Sequence, residues 1–109
     1  MAMTHNRKPT HPGILVKSGV IDARAVEINE LAQDINMTRT NLSRILNGHG
    51  RMTAKTACKL AQTLMISPDP LIKAQAIYDQ WEAMQDLKDW TPAKIYTETK
   101  LPLSHDNRI

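Results

Sequence analysis

Phe, Tyr and Trp are absent from the first two thirds of this 109-residue chain, and their absence constrains the fold more than any other feature. There is no Phe, and the four aromatic residues are Tyr78, Trp81, Trp90 and Tyr96. The core of the first two thirds must therefore consist of Leu, Ile, Val, Ala and Met. β-Sheets favour aromatic and β-branched side chains, whereas this composition favours packed helices. We therefore expect an all-α fold with one domain, because the chain has about the length of one domain.

Apolar residues recur at spacings of three, four and seven, which places them on single faces of helices. The predicted helices span residues 12–20, 27–35, 39–47, 54–65 and 69–86. Asn36, Gly48 and the cluster Ser67-Pro68-Asp69-Pro70 are predicted to separate them, with Thr38 and Thr53 as N-caps.

The chain divides into three parts by composition. Residues 1–10 are polar and predict a flexible N-terminal tail, and residues 11–86 carry the helical periodicity of a domain. The periodicity fades after Asp86, so residues 87–109 are expected to form a C-terminal extension that is partly mobile.

Several classes of function are disfavoured by what the sequence lacks. The single cysteine, Cys58, excludes an intrachain disulfide and fits a reducing compartment. There is no apolar run long enough for a signal peptide or a membrane span, so we expect a cytoplasmic protein with no membrane contact. The histidines are scattered, and no paired carboxylates, Gly-rich phosphate loop or triad spacing is present. We expect no metal, no cofactor and no catalytic residues.

The charge is distributed unevenly. Residues 1–60 hold nine basic and four acidic residues, a net charge of +5, whereas residues 61–109 have a net charge of −2. Between residues 35 and 68 there are five Lys or Arg residues and no carboxylate. Such a block is the expected footprint of a protein that binds a polyanion. A solvated basic face without a partner is an equally good reading of the charge alone.

The second and third predicted helices, joined by a short turn, have the layout of a DNA-binding helix-turn-helix. Ala32 is small enough for the two helices to approach closely, and Asn36 tolerates the left-handed turn conformation. Met37 fills the gap between the helices, and Thr38 caps the helix that would read DNA. The alternative is an ordinary interhelical turn in a small helical bundle. Three coincident facts favour DNA binding, namely the small residue at 32, the uncharged or basic polar face of the third helix, and the absence of any acid from 35 to 68.

The outward face of the third helix carries the chemistry that the major groove requires. Arg39 and Arg44 suit guanine or phosphate, Asn41 suits adenine, and Thr40 and Ser43 donate or accept hydrogen bonds. A helix of this length reads only about four or five base pairs, so a dimer with half-sites about one DNA turn apart is expected. At least one of Arg51, Lys55 and Lys59 is expected to contact phosphate.

Four stretches resemble the HigA branch of the Xre/phage-Cro-type regulators. They are HPGILV at 11–16, LAQDINMTRTNLSRILNG at 31–48, MTAKTACKLAQTL at 52–64 and SPDPLIKAQAIYDQW at 67–81. The resemblance covers about residues 11–85. One departure lies at the start of the second helix, where members often have a polar cap and Gln and this chain has Glu27 and Ile28.

The resemblance implies a compact five-helix domain, a homodimer and two activities. Members of the family neutralise a HigB toxin, a RelE-like ribosome-dependent mRNA endonuclease, and repress their own operon by binding palindromic operators. By family position, the DNA-binding residues would be Thr38, Arg39, Thr40, Asn41, Ser43, Arg44, Asn47 and His49.

The last predicted helix carries an apolar face too wide for one small domain to bury. We expect part of it to form a dimer interface through Ile77, Tyr78, Trp81 and Met84. Three readings of function remain open, namely an antitoxin and autorepressor, a stand-alone phage-type regulator without a toxin, and a protein-interaction module that reuses the scaffold.

Overall fold

The computed structural model describes residues 7–98 and 100, and its regular structure is entirely helical. The helices are α1 (Pro12–Val16), which continues as a π-helical segment (Lys17–Ile21), α2 (Ile28–Asp34), α3 (Arg39–Leu46), α4 (Ala54–Leu64) and α5 (Asp69–Asp86). The predicted all-α fold with five α-helices is confirmed. None of the helices in the described part of the chain is long and apolar enough to cross a membrane.

The core is aliphatic, as the composition predicts. Leu42 and Leu60 are fully buried, and Leu31 and Leu46 are at most 2% exposed. Leu42 and Leu46 belong to α3, so that helix is anchored along its inner side while its other side remains at the surface. Burying a Leu side chain stabilises the fold by about 1.5–3 kcal/mol, which is ample to fix the position of so short a helix.

The first helix differs from the single predicted helix over residues 12–20. After five α-helical residues the backbone widens into a π-helical turn, in which the amide of Asp22 donates to the carbonyl of Lys17 at 2.8 Å. The Ser18 hydroxyl donates to the carbonyl of Ile14 at 2.9 Å. A hydroxyl that bonds the carbonyl four residues back competes with the α-helical ladder. The widened turn carries Ile21 into the core, where it is 1% exposed.

Helix α1 crosses α3 at a glycine. A Cβ atom at Gly13 would lie 2.6 Å from the carbonyl carbon of Ile45 and closer still to its oxygen. No side chain fits there, so glycine is required for α1 to approach the backbone of the helix that carries Arg44.

The predicted helix ends are largely confirmed. Asn36 and Gly48 have φ angles of 58° and 82°, and the hydroxyls of Thr38 and Thr53 accept from the backbone amides three residues later. Helix α4 ends differently from the prediction, at Leu64, because Met65 adopts the left-handed conformation with φ 58°. The Arg24 guanidinium donates to the carbonyl of Leu64. This bond gives a partner to one of the carbonyls that the last turn of a helix leaves unpaired.

His11 is a buried N-cap that the sequence did not identify. Its Nδ1 accepts from the amide of Gly13 at 2.9 Å, so this nitrogen carries no proton, and its ring packs edge-on against Tyr78. Burial lowers the pKa of His11 below the ordinary value. The Gly50 backbone and the charges of Glu82 and Asp79 act in the opposite direction, and His49 adds to the lowering.

The free energy of unfolding should fall as the pH drops below about 6.5, the ordinary pKa that His11 has in the unfolded chain. The folded state favours the neutral imidazole, so its stabilisation is complete above that pH and is lost on acidification. Urea unfolding between pH 7.5 and 5 measures it, with His11→Asn as the matched control because Asn also caps helices. An equal loss of stability in both proteins would assign the effect to other groups.

Candidate nucleic-acid interface

Helices α2 and α3 form the predicted helix-turn-helix geometry. Ala32 is 2% exposed, so the two helices meet at a small residue, and the chain reverses through Asn36. The amide of Met37 donates to the carbonyl of Ala32 at 2.9 Å, and its side chain packs partly buried against the core. Helix α3 then begins at Arg39, capped by the Thr38 hydroxyl, which accepts from the amide of Asn41 at 3.1 Å.

The exposed side of α3 and the following loop form an open depression. Six of the eight residues predicted to bind DNA line it, namely Arg39, Thr40, Ser43, Arg44, Asn47 and His49. Thr38 and Asn41 are exposed but lie outside the depression. The structure therefore brings together two guanidinium groups, two hydroxyls, an amide and an imidazole on one surface, a set suited to base edges and phosphates.

Arg44 is held in place by the loop that follows its helix. Its Nη2 donates to the carbonyl of His49 at 3.3 Å. The loop in turn folds back on the end of α3, where the amides of His49 and Gly50 donate to the Arg44 carbonyl at 2.8 and 3.1 Å. A side chain restrained in this way loses less conformational freedom when it binds a ligand.

The basic residues between 35 and 68 are not equally available to a polyanion. Lys59 donates to the carbonyl of Ile35 at 3.0 Å, at the end of α2, and Arg51 pairs with Asp79. For Arg39, Arg44 and Lys55, no carboxylate lies within 4 Å in the part of the chain that the structure describes. Of the three residues expected to supply a phosphate contact, Lys55 is thus the one best placed, and the contact itself stays a prediction.

Sequence reasoning missed the pair Gln75 and Asp79. Gln75 is 5% exposed, and its Oε1 accepts from the Met52 amide at 2.9 Å, which ties α5 to the loop after α3. The only sequence signal is the spacing of four between Gln75 and Asp79 on α5, which allows the observed side-chain bond of 2.8 Å. Residues 7–98 and 100 contain no group of three His, Cys, Asp or Glu side chains arranged to hold a metal ion.

A family model for the Cro/C1-type helix-turn-helix DNA-binding domain matches residues 18–76. That range spans more than half of the chain and contains the whole of α2, α3 and α4. The chain belongs to this family. The matched model describes a DNA-binding domain, and the residues that line the depression on α3 all lie within the matched range.

The chain is similar to three further proteins of known name. Virulence-associated protein A' of Dichelobacter nodosus is 32% identical and covers 100% of this chain and 99% of its own length. Antitoxin HigA-1 of Vibrio cholerae is 29% identical over 70% of this chain and 71% of its own length. The solved structure of Pseudomonas aeruginosa antitoxin HigA with the higBA promoter has a TM-score of 0.70 and 18% identity, covering 85% of this chain and 99% of that one. This last likeness shows the fold.

The first free backbone amides of α2 are already hydrogen-bonded to a side chain of this Cro/C1-type domain. The Glu27 carboxylate accepts from the amides of Asn29 and Glu30 at 3.2 and 2.9 Å. A carboxylate that caps the helix N-terminus occupies the amides that a DNA phosphate would otherwise use. This end of α2 therefore differs from the pattern of a polar cap and Gln that the resemblance implies.

The residues predicted to form a dimer interface on α5 differ in their exposure. Ile77 and Met84 are 55% and 61% exposed, and Trp81 is partly buried. Tyr78 is instead buried at 9% exposure, because its ring packs against His11 inside the domain, so little of it is accessible to a second copy. The dimer interface through Ile77, Tyr78, Trp81 and Met84 stays a prediction, and Ile77 and Met84 are its most exposed residues.

Proposed function

We propose that this protein is a sequence-specific transcriptional repressor that reads operator DNA with α3 as a homodimer. The observation that carries the proposal is the convergence of Arg39, Thr40, Ser43, Arg44, Asn47 and His49 on one exposed surface of a Cro/C1-type domain. Arginine reads guanine through two hydrogen bonds, and Asn and hydroxyl side chains pair with other base edges.

The short length of α3 supports the dimer. Eight residues span about 12 Å, which limits one protomer to about four or five base pairs. A second copy related by two-fold symmetry would double the contacts and require half-sites about one helical turn apart. The exposed Ile77 and Met84 on α5 offer apolar area for such contact.

Antitoxin activity is the finer part of the proposal. The resemblance to HigA and the identity shared with antitoxin HigA-1 support a role in which the protein neutralises a HigB-type, RelE-like mRNA endonuclease and represses its own operon. The same helix-turn-helix would serve a stand-alone regulator. Co-purification with the product of an adjacent small reading frame, and loss of that product's toxicity, would separate the two.

Fluorescence anisotropy on the duplex just upstream of the reading frame tests the proposal against a shuffled duplex of the same composition. We expect binding at least about 10³-fold tighter to the native duplex at near-physiological salt. Equal binding to both duplexes would contradict sequence-specific repression at this site, and no binding at low salt would favour a protein-interaction module.

The salt dependence of that binding should report at most three phosphate-neutralising residues per protomer, and fewer where an arginine reads a base instead. Arg39, Arg44 and Lys55 are the basic residues of the 35–68 stretch that are not held by Asp79 or by a helix end. Six such contacts in a dimer correspond to a slope of about −5 in a plot of log K against log salt concentration. A nearly flat plot would exclude this basic stretch as the binding face.

A further inference from the structure

An acidic side chain from α5 contacts the loop between α3 and α4, which has no acidic residue of its own. The stretch from 35 to 68 contains no carboxylate, yet Asp79 of α5 reaches the loop between α3 and α4 and pairs with Arg51 through its Oδ2. Arg51 lies two residues after His49, which lines the depression on α3. Its side chain is 60% exposed and lies on the same loop as His49, although Arg51 itself does not line the depression.

Asp79 is fixed in position rather than free to follow the arginine. Its Oδ1 accepts from Nε2 of Gln75 at 2.8 Å, and the buried Gln75 is itself anchored by the Met52 amide. Burial of the carboxyl raises its pKa, but hydrogen bonds from Gln75 and Arg51, together with the Arg51 charge, lower the pKa of Asp79 below its ordinary value. The group is therefore a stable anion at neutral pH.

We propose that Asp79 competes with DNA phosphate for Arg51 and so withholds one positive charge from the DNA-binding surface. This inference rests on the proposed DNA-binding function and assigns Asp79 as a residue that sets specificity. Phosphate contacts strengthen binding to every sequence alike, whereas base contacts from α3 distinguish sequences. An arginine that is already paired contributes less to non-specific binding and leaves the base contacts unchanged.

The ion pair between Arg51 and Asp79 is too exposed to contribute much to the stability of the fold. Exposed ion pairs contribute about 0–1 kcal/mol to stability, so little folding energy depends on Arg51. The anchoring of the loop depends instead on Gln75 and the Met52 amide, which are buried. What the ion pair changes most is the positive charge that the loop after α3 presents to a polyanion.

The test is the salt slope of binding to the shuffled duplex, measured for the wild type, Asp79→Asn, Arg51→Gln and the double variant. Asn retains an acceptor for Gln75 and removes only the charge. We expect Asp79→Asn to steepen the slope by about 0.9 per protomer and to bind several-fold tighter at low salt. Arg51→Gln alone should leave the wild-type slope unchanged, and the double variant should return to it.

Asp86→Asn is the matched control, because it removes one negative charge from the same helix, and Asp86 has no basic partner within 4 Å in the described residues. An equal steepening in this control would assign the effect to net charge and overturn the proposal. A slope that falls in Arg51→Gln, or that stays unchanged in Asp79→Asn, would also overturn it. If Asp79→Asn does not fold, a slope that falls in Arg51→Gln would still overturn the proposal.

The preference of the wild type for the native duplex is a separate readout. If the wild type shows no such preference, the proposed function is contradicted. The salt slopes on shuffled DNA still test the role of Asp79 in that case. Conversely, sequence preference with no change of slope in Asp79→Asn would leave the proposed function intact and remove the role of Asp79.

Discussion

Replacement of Gly13 by alanine is expected to destabilise the protein by about 1–3 kcal/mol or more, which is the cost of forcing extra volume into a packed core. The added methyl group would overlap the carbonyl of Ile45, which is backbone and cannot rotate away. Because α1 would have to move off α3, the surface that carries Arg44 should be disturbed as well. Urea unfolding followed by circular dichroism measures the loss of stability.

Gly19→Ala is the matched control for that variant. Nothing lies within 4 Å of a Cβ at Gly19, and its backbone has no positive φ angle. Alanine there should be neutral or stabilise the protein by up to about 1 kcal/mol, because it restricts the unfolded chain. Similar unfolding midpoints for Gly13→Ala and the wild type would show that α1 does not approach α3 as closely as described.

Replacement of Arg44 by alanine should weaken binding to the native operator by about 1–3 kcal/mol, or about 5- to 150-fold, if its guanidinium reads a base. Arg44 is the arginine of α3 that the His49 carbonyl holds in position over the depression. Truncation therefore removes a side chain that is already oriented. Anisotropy on native and shuffled duplexes measures the change for both.

Two further variants make the Arg44 result interpretable. Lys73→Ala removes one positive charge from an exposed position of α5 and should leave the preference for the native duplex unchanged. Arg44→Lys keeps the charge but lacks the planar fork, so it should recover binding to shuffled DNA more than specificity. An equal loss on both duplexes in Arg44→Ala would make Arg44 a phosphate contact, and no loss on either would remove it from the site.

The helix-turn-helix was predictable because its signals are local. Asn36 in the left-handed turn, the Thr38 cap and the stop at Gly48 each depend on bonds within a few residues, so the sequence around them is sufficient. The outward residues of α3 follow from the same periodicity that places Leu42 and Leu46 inward. The start and end of α5 at residues 69 and 86 were also predicted correctly.

The features that sequence reasoning missed involve partners far apart along the chain. The Leu64 carbonyl at the end of α4 accepts from Arg24, forty positions away. The wide apolar face of α5 divides into a buried and an exposed part only when α1 packs on it. Likewise, the charge of the loop after α3 changes once Asp79 meets Arg51, a contact across 28 positions.

The sequence by itself determined the helices, the aliphatic core and the polar, basic outer face of α3, because hydrophobic periodicity and capping act over one or two turns. The tertiary structure alone decided which basic side chains remain available, that Gly13 is the crossing point of α1 and α3, and that His11 and Gln75 are buried. The physical reason is that burial and ion pairing depend on distance in space, which local spacing along a chain does not specify.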